Sequence, residues 1–335
     1  MGPEQPTYTD TQLEIYLTRL AYVPAAKTGD SLVQDVRHRI ETDAFGTLSE
    51  LQRRHLAAIP WGNSGLHYSQ HHTISLHPES LFEKMVERRL DGYCMENTGI
   101  FLIVLRSLGY VVYATGARVS QAAATRVDNG LYSAFEHMVL IVTIDGAKYM
   151  VSARHHFTNL ASTNNCQVDV GFGNNCATAP LHLHEGATAT WIGRSEMRLI
   201  RESIAEFTDK SQKVWIYQTR YNPESSWLPN ICFSEVEFLP QDFGMMNFSV
   251  SQKATSWFKQ TFVCMRMILS PTGKEIIGQC IMAGKEVKRR IHGQTEILQV
   301  LQSEEDRVQA LAKYFDMHLR DSEIHGIQGL TSQLK

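Results

Sequence analysis

Three side chains in this 335-residue chain have the types and surroundings that nucleophilic acyl chemistry requires. Cys94 follows Gly92-Tyr93 and opens a nearly all-apolar run closed by Gly109, which places it at the start of a helix. Unpaired backbone N–H groups and the helix dipole favour an anion there, and the thiolate is the form of cysteine that attacks. His137 stands immediately before M-V-L-I-V-T-I, at the end of a strand rather than within it. Imidazole is the side chain whose ordinary titration suits accepting a thiol proton. Asp169, in V-D-V-G-F-G, is a carboxylate inside an apolar run, with two glycines after it that let backbone approach closely. A carboxylate in such a place wants a partner, and the second N–H of an imidazole would supply one. Taken singly, each residue has a plainer reading: a buried structural cysteine, a strand-end histidine among 14, an aspartate capping its own turn. His155, His156, His182 and His184 rival His137 by residue type.

The elements that must position these residues fall into three blocks. Thr11 and Glu14 make a capping-box pattern around Leu13, Tyr16, Leu17 and Leu20, which repeat at helical spacing. A second box, Thr47 and Glu50, opens a helix bearing Leu48, Leu51, Leu56 and Ile59 that Pro60 stops, and Pro78 suits the first turn of a third. With the apolar helix at 94–108, residues 1–109 read as a helical bundle that presents the cysteine. From Tyr110 β-branched runs take over at 111–114, 139–144 and 148–151, the last two flanking Asp145-Gly146, a two-residue hairpin signal. Residues 110–238 therefore read as a β region. Strand-like runs at 262–269 and 275–283 and a closing helix at 303–319 make 239–335 an α/β lid, with the chain beyond Leu319 expected to fray. The fold class is α+β.

Composition narrows the partners. With 32 basic and 35 acidic residues the net charge is -3, so no nucleic-acid footprint or acidic tail is present. The six cysteines are scattered without a C-x-x-C pair, which predicts free thiols with no metal site and no disulfide framework. Residues 1–30 lack a basic start leading into an apolar core, and no uninterrupted apolar stretch reaches about 18 residues. No membrane partner is expected, and a reducing cytoplasm, which suits a thiol nucleophile, is the expected location.

Several longer runs then carry a resemblance. I-P-W-G-N-S-G-L-H-Y (59–68), R-R-L-D-G-Y-C-M-E-N (88–97), L-R-S-L-G-Y (105–110), G-A-R-V (116–119), E-H-M-V-L-I-V (136–142) and V-D-V-G-F-G (168–173) resemble, in order, the arylamine N-acetyltransferase family. W-L-P-N-I-C-F-S-E-V-E-F-L-P-Q-D-F (227–243) and K-E-V-K-R-R-I-H-G (285–293) resemble its fungal branch, and the likeness runs from about residue 10 to 320. The resemblance implies a helical bundle, a β-barrel and an α/β lid around a cysteine-protease-like core, with Cys94, His137 and Asp169 as a catalytic triad. It implies ping-pong transfer of an acetyl or similar short acyl group from acyl-coenzyme A onto an arylamine, hydrazine or hydroxylamine. Acyl-coenzyme A would be a co-substrate, with no cofactor bound permanently, and the working unit is expected to be a monomer. Phe172 and Gly173 match the turn that forms the family's substrate and coenzyme surface. Lys285, Lys288, Arg289 and Arg290 could meet coenzyme phosphates or simply face solvent.

The chain also departs from the family pattern. The family reads R-G-G-Y-C and I-P-F-E-N, where this chain has Leu90 for the arginine and Gly62 for the glutamate. In the family those two form an ion pair behind the site, so losing both is far cheaper than stranding one. Asp91 for the first glycine and Thr98 for a usual asparagine have no such compensation. A larger departure is the 17-residue stretch 151–167, which separates Tyr149-Met150 from Val168-Asp169 where the family runs on without interruption. It is polar, lacks strand alternation, and can be encoded with GTG-AGT at its start, ACT-AAC at Thr163-Asn164 and CAG at Gln167, the marks of an intron retained in frame. If it is absent, a hairpin turning at Asp145-Gly146 sets Asp169 opposite Val139 and diagonal to His137. If it is a genuine surface insertion, the strand must resume in that same register. Two other readings stay open: a papain- or transglutaminase-like cysteine hydrolase, and a catalytically impaired relative that only binds ligand.

Overall fold

A computed structural model describes residues 5–24, 31–144, 164–186 and 188–334. Helix α1 (Asp10–Arg19) is capped two residues before the expected box: the Thr9 N–H donates to Gln12 Oε1 at 3.0 Å and the Gln12 N–H to Thr9 Oγ1 at 3.3 Å. Its apolar face, Leu13, Tyr16 and Leu17, is buried as the spacing predicts. Helix α2 (Leu32–Thr42), which sequence reading missed, opens on a Ser31–Gln34 box. Helix α3 (Ala44–Ala58) begins earlier than Thr47 because the Asp43 carboxylate accepts the Gly46 N–H at 2.8 Å. Strand β1 (Trp61–Gly62) follows, then α4 (Pro78–Phe82), with proline in its first turn, and α5 (Cys94–Ser107). α5 is buried on most sides, with Ile100, Phe101, Val104 and Leu105 wholly inaccessible.

The middle third is a nearly closed barrel. Strands β2 (Val111–Ser120) and β3 (Tyr132–Ile144) flank the short helix α6 (Ala122–Thr125). They are followed by β4 (Asn164–Val168), β5 (Leu181–His182), β6 (Thr188–Thr190), β7 (Glu196–Glu202), β8 (Val214–Arg220) and β9 (Leu228–Phe233). The eight strands lie in the order β5-β4-β3-β2-β9-β8-β7-β6. β3 alternates cleanly: Met138, Leu140 and Val142 pack against the helices, while Val139 joins Trp215 and Tyr217 inside the barrel.

The Asp145-Gly146 turn, the run at 148–151 and residues 151–163 of the inserted stretch lie outside the described residues. The last four residues of that stretch, 164–167, are paired strand, Ile144 facing Asn164 and Leu140 facing Val168. Continued by one residue, this register sets Asp169 opposite Val139, the slot it would hold if all 17 residues were removed.

The last third contains α7 (Pro240–Gln252), α8 (Trp257–Gln260), and strands β10 (Val263–Leu269), β11 (Ile276–Ala283), β12 (Glu286–Ile291) and β13 (Gln294–Val300), then α9 (Glu304–Phe315) and α10 (Asp321–Ile324). β1 forms the edge of this second sheet by pairing with β10, Gly62 facing Cys264. Residues beyond Leu319 do not fray, contrary to expectation. Arg307 is 2 % exposed and donates to the Ser332 carbonyl at 3.0 Å, and Ile327 is buried with it, because a buried guanidinium must find acceptors. Among the described residues no helix is long and apolar enough to cross a membrane.

Candidate active site

Cys94 heads α5 at the junction of helices, barrel and lid, and is 4 % exposed. The loop before it is tied from both ends. Glu96 Oε2 accepts the Tyr93 N–H at 3.0 Å, the Gly92 N–H reaches the Pro60 carbonyl at 3.2 Å, and the Gly62 N–H reaches the Gly92 carbonyl at 3.1 Å. The Asn97 side-chain amide donates to the Gly92 carbonyl and is itself held by His55, whose Nε2 donates to Asn97 Oδ1 at 3.0 Å. Burial holds the His55 imidazole down to about 4, so it is neutral and its Nδ1 accepts from Tyr16 Oη at 2.7 Å. A Cβ on Gly92 would lie 2.6 Å from Met85 Sδ, which is why a glycine precedes Tyr93.

His137 and Asp169 meet at the barrel rim. His137 Nε2 donates to Asp169 Oδ2 at 2.9 Å, both side chains being buried, and this leaves Nδ1 for the neighbouring thiol. The Cys94 Sγ lies 3.6 Å from the Glu136 carbonyl, one residue before His137. Burial alone would pull the imidazole pKa down, but the Asp169 charge and hydrogen bond, with the Cys94 contact added, carry it up to about 10. Asp169 Oδ1 accepts the Gly171 N–H at 2.8 Å, and its backbone carbonyl accepts from Gln52 Nε2 at 3.0 Å. Gly171 has to be glycine: a Cβ there would sit 2.6 Å from the Cys94 carbonyl and 2.7 Å from its Cα. Phe172 lies edge-on to the His137 ring with centroids 5.1 Å apart, and Gly173, at φ +70°, packs on Trp61.

The departures around Cys94 fit together. The Asp91 carboxylate is fully buried, accepts the Ser64 N–H at 3.1 Å and also the Ser64 hydroxyl. A Cβ on Gly62 would come 2.1 Å from Asp91 Oδ2, so Asp91 fills the space that a side chain at 62 would need. Burial raises the Asp91 pKa against the opposing pull of Lys84 and Ser64. Lys84 reaches Glu96 at 2.6 Å, keeping one cation beside the two buried acids. Leu90 packs in the lid's apolar cluster with Tyr68 and Phe262. Thr98 is buried with its hydroxyl unpartnered, against Gly171.

Of the rival histidines, His155 and His156 lie outside the described residues, His182 stacks on Phe45, and His184 is exposed. Gln52 and His55 were missed, although two polar residues among Leu48, Leu51 and Leu56 on one helical face signal buried polar work. Among the described residues no cluster of His, Cys, Asp or Glu is arranged to hold a metal.

A cysteine at a helix start, brought against a His–Asp pair on a barrel rim, defines a protein with a cysteine-protease-like fold. Comparison narrows this class. A family model described as N-acetyltransferase matches residues 44–324, and the chain belongs to the arylamine N-acetyltransferase family of acyltransferases. It is 32% identical to the N-malonyltransferase FDB2 of Fusarium pseudograminearum over 337 residues, covering 96% of this chain and 93% of the relative. The N-malonyltransferase FDB2 of Gibberella moniliformis is 30% identical, with 94% and 91% covered. In fold it is similar to the arylamine N-acetyltransferase of Salmonella typhimurium (TM-score 0.71, 23% identity, 96% and 98% covered). The Mycobacterium marinum arylamine N-acetyltransferase in complex with CoA matches at TM-score 0.70 and 23% identity, with 95% and 99% covered.

Proposed function

We propose that the chain moves a short acyl group from acyl-coenzyme A to the nitrogen of an arylamine, hydrazine or hydroxylamine, with Cys94 as nucleophile, His137 as base and Asp169 as the residue that orients it. The observation that carries this reading is the buried His137–Asp169 hydrogen bond of 2.9 Å at the thiol. Asp169 holds His137 as the imidazolium, so Cys94 has passed its proton to His137 before the donor arrives, and in the first half-reaction sulfur attacks the thioester carbonyl as the thiolate of that pair. The oxyanion is met by the Cys94 N–H, which heads the helix and has no intrahelical partner. Collapse expels coenzyme A, whose sulfur takes the proton back from His137, leaving an acyl-Cys94 thioester. In the second half the amine attacks that thioester, His137, neutral since it protonated coenzyme A, accepts the amine proton, and the Cys94 sulfur leaves as the thiolate beside the restored imidazolium. Phe172 and Gly173 line the approach, the ring offering an apolar face to the acceptor.

Malonyl stands beside acetyl as the donor group, because the two Fusarium and Gibberella relatives carry the name N-malonyltransferase. Brief mixing with acetyl- or malonyl-coenzyme A followed by intact-protein mass spectrometry should show one added acyl group, absent in Cys94→Ser, and lost again when an arylamine is added. An adduct that persists in Cys94→Ser, or none with either donor, removes the reading. Loss of the acyl group to water as fast as to amine would instead favour a hydrolase.

A further inference from the structure

The lid and the barrel border a cavity of about 50 Å³ whose lining does not include Cys94, His137 or Asp169. Arg290, His292 and Gln279 line it from the lid sheet, Tyr221 and Ser195 from the barrel loops. It is large enough for several water-sized groups, and its polar atoms are short of partners. Tyr221 Oη and Gln279 Oε1 are buried without a hydrogen bond, and so is Asn174 Oδ1 next to it. Native interiors rarely leave such groups unpaired, so water, an ion or a ligand completes them.

The charge around it is equally unbalanced. In the basic run on β12, Lys288 is paired with Glu286 and Arg289 with Glu296. Arg290 faces the cavity instead, its Nε on Thr295 at 3.3 Å. Arg126 approaches from the barrel, its guanidinium 5.0 Å from the centre of the Tyr221 ring. Burial, and then the charge of Arg290, lower the Arg126 pKa, so the two cations feel each other. Among the described residues neither stands in an ion pair. Arg290, the Tyr221 hydroxyl and His292 at one small opening, with Arg126 against the Tyr221 ring behind it, match the oxygens of a phosphate group.

The cavity is also tied to the candidate site. Gln279 Nε2 donates to the Asn174 carbonyl at 2.6 Å, and Asn174 follows the Phe172-Gly173 turn that touches His137. Two residues of chain span at most about 7 Å, so the cavity and the acyl-transfer centre share one short turn. We propose that this cavity is a phosphate-binding subsite, occupied during turnover by a phosphate of the acyl-coenzyme A donor. The inference rests on the reading of acyl-coenzyme A as donor.

Calorimetric titration of the full chain with coenzyme A, 3′-dephospho-coenzyme A and inorganic phosphate tests it, comparing wild type with Arg290→Gln and Tyr221→Phe, each checked for an unchanged thermal midpoint. Removing the charge should weaken coenzyme A binding about tenfold, the scale of one lost charge-assisted hydrogen bond, and removing the hydroxyl less. Inorganic phosphate should compete with coenzyme A in the wild type. If the Arg290→Gln loss disappears with 3′-dephospho-coenzyme A, the 3′-phosphate is the occupant; if it persists, the diphosphate is. Unchanged coenzyme A affinity in both variants overturns the proposal. Phosphate binding that Arg290→Gln abolishes without any effect on coenzyme A assigns the cavity to a free anion and overturns it too. Acylation of wild-type Cys94 by S-acetyl-N-acetylcysteamine, which carries no phosphate, tests the acyl-transfer reading separately.

Discussion

At the level of single side chains, the His137–Asp169 pair has a consequence for pH. The His137 pKa lies near 10 in the folded protein against 6.5 for the free side chain, so folding binds a proton more tightly. The stability it contributes is therefore complete below about pH 6.5 and is lost as pH rises toward about 10. Asp169→Asn removes the main cause of the shift. The gap in urea midpoint between wild type and Asp169→Asn should be widest near pH 6 and narrow steadily toward pH 10; a gap independent of pH would contradict the pairing. That His137 meets Asp169 beside Cys94 was legible only in part from the segments themselves, a thiol at a helix start, an imidazole at a strand end and a carboxylate in an apolar strand, since each has a plainer reading alone and the family resemblance joined the three. The Asp91–Ser64 contact was not, because only the folded backbone shows that Gly62 leaves room for that carboxylate.

Among the elements, strand β4 is the one at odds with its own sequence. Gln167 is wholly buried facing Ile141, and neither its amide nitrogen nor its oxygen has a partner. Gln167→Met keeps the shape and removes the unpaired dipole, so it should stabilise the protein by about 1–2 kcal/mol in urea unfolding. Joining Met150 to Val168 makes the same exchange by another route, since Met150 then takes the slot of Gln167. That shortened chain should be at least as stable as the full one and acylate Cys94 about as fast, since Asp169 already holds His137 in the full chain, and transcript reads joining the two codons would show it to be the natural form. If it unfolds, or loses Cys94 acylation, residues 151–167 are a genuine insertion. Other elements differ in how visible they were. The helices at Pro78 and Cys94 announce themselves by proline and by an unbroken apolar face. The Thr9 and Asp43 caps lost to plausible neighbours, since several Thr, Ser and Asp residues fit a cap pattern and only the backbone decides between them. α2 carried a readable signal in Ser31, Gln34, Val33, Val36 and Ile40. β12 did not, because a strand reading E-V-K-R-R-I shows its solvent face more than its buried one.

For the molecule as a whole, the last third is a structural closure rather than an appendage. Ending the chain after Leu319 takes away the Ser332 carbonyl on which Arg307 rests and the buried Ile327, a loss of about 3 kcal/mol. Thermal unfolding of that truncated chain should shift down by several degrees; an unchanged midpoint would mean the tail is dispensable. The same closure reaches the nucleophile through β1. Gly62 holds the Gly92 carbonyl in the Cys94 loop, and Gly62 is itself the edge partner of Cys264, while Asn63 binds the Val263 N–H at 3.0 Å. On the ribosome, β10 emerges roughly 170 residues after Cys94, a delay on the order of ten to thirty seconds at about 5–20 residues per second. For that interval the thiol exists without the strand that fixes its loop, so a nascent chain acquires its reactive geometry only when synthesis is nearly finished.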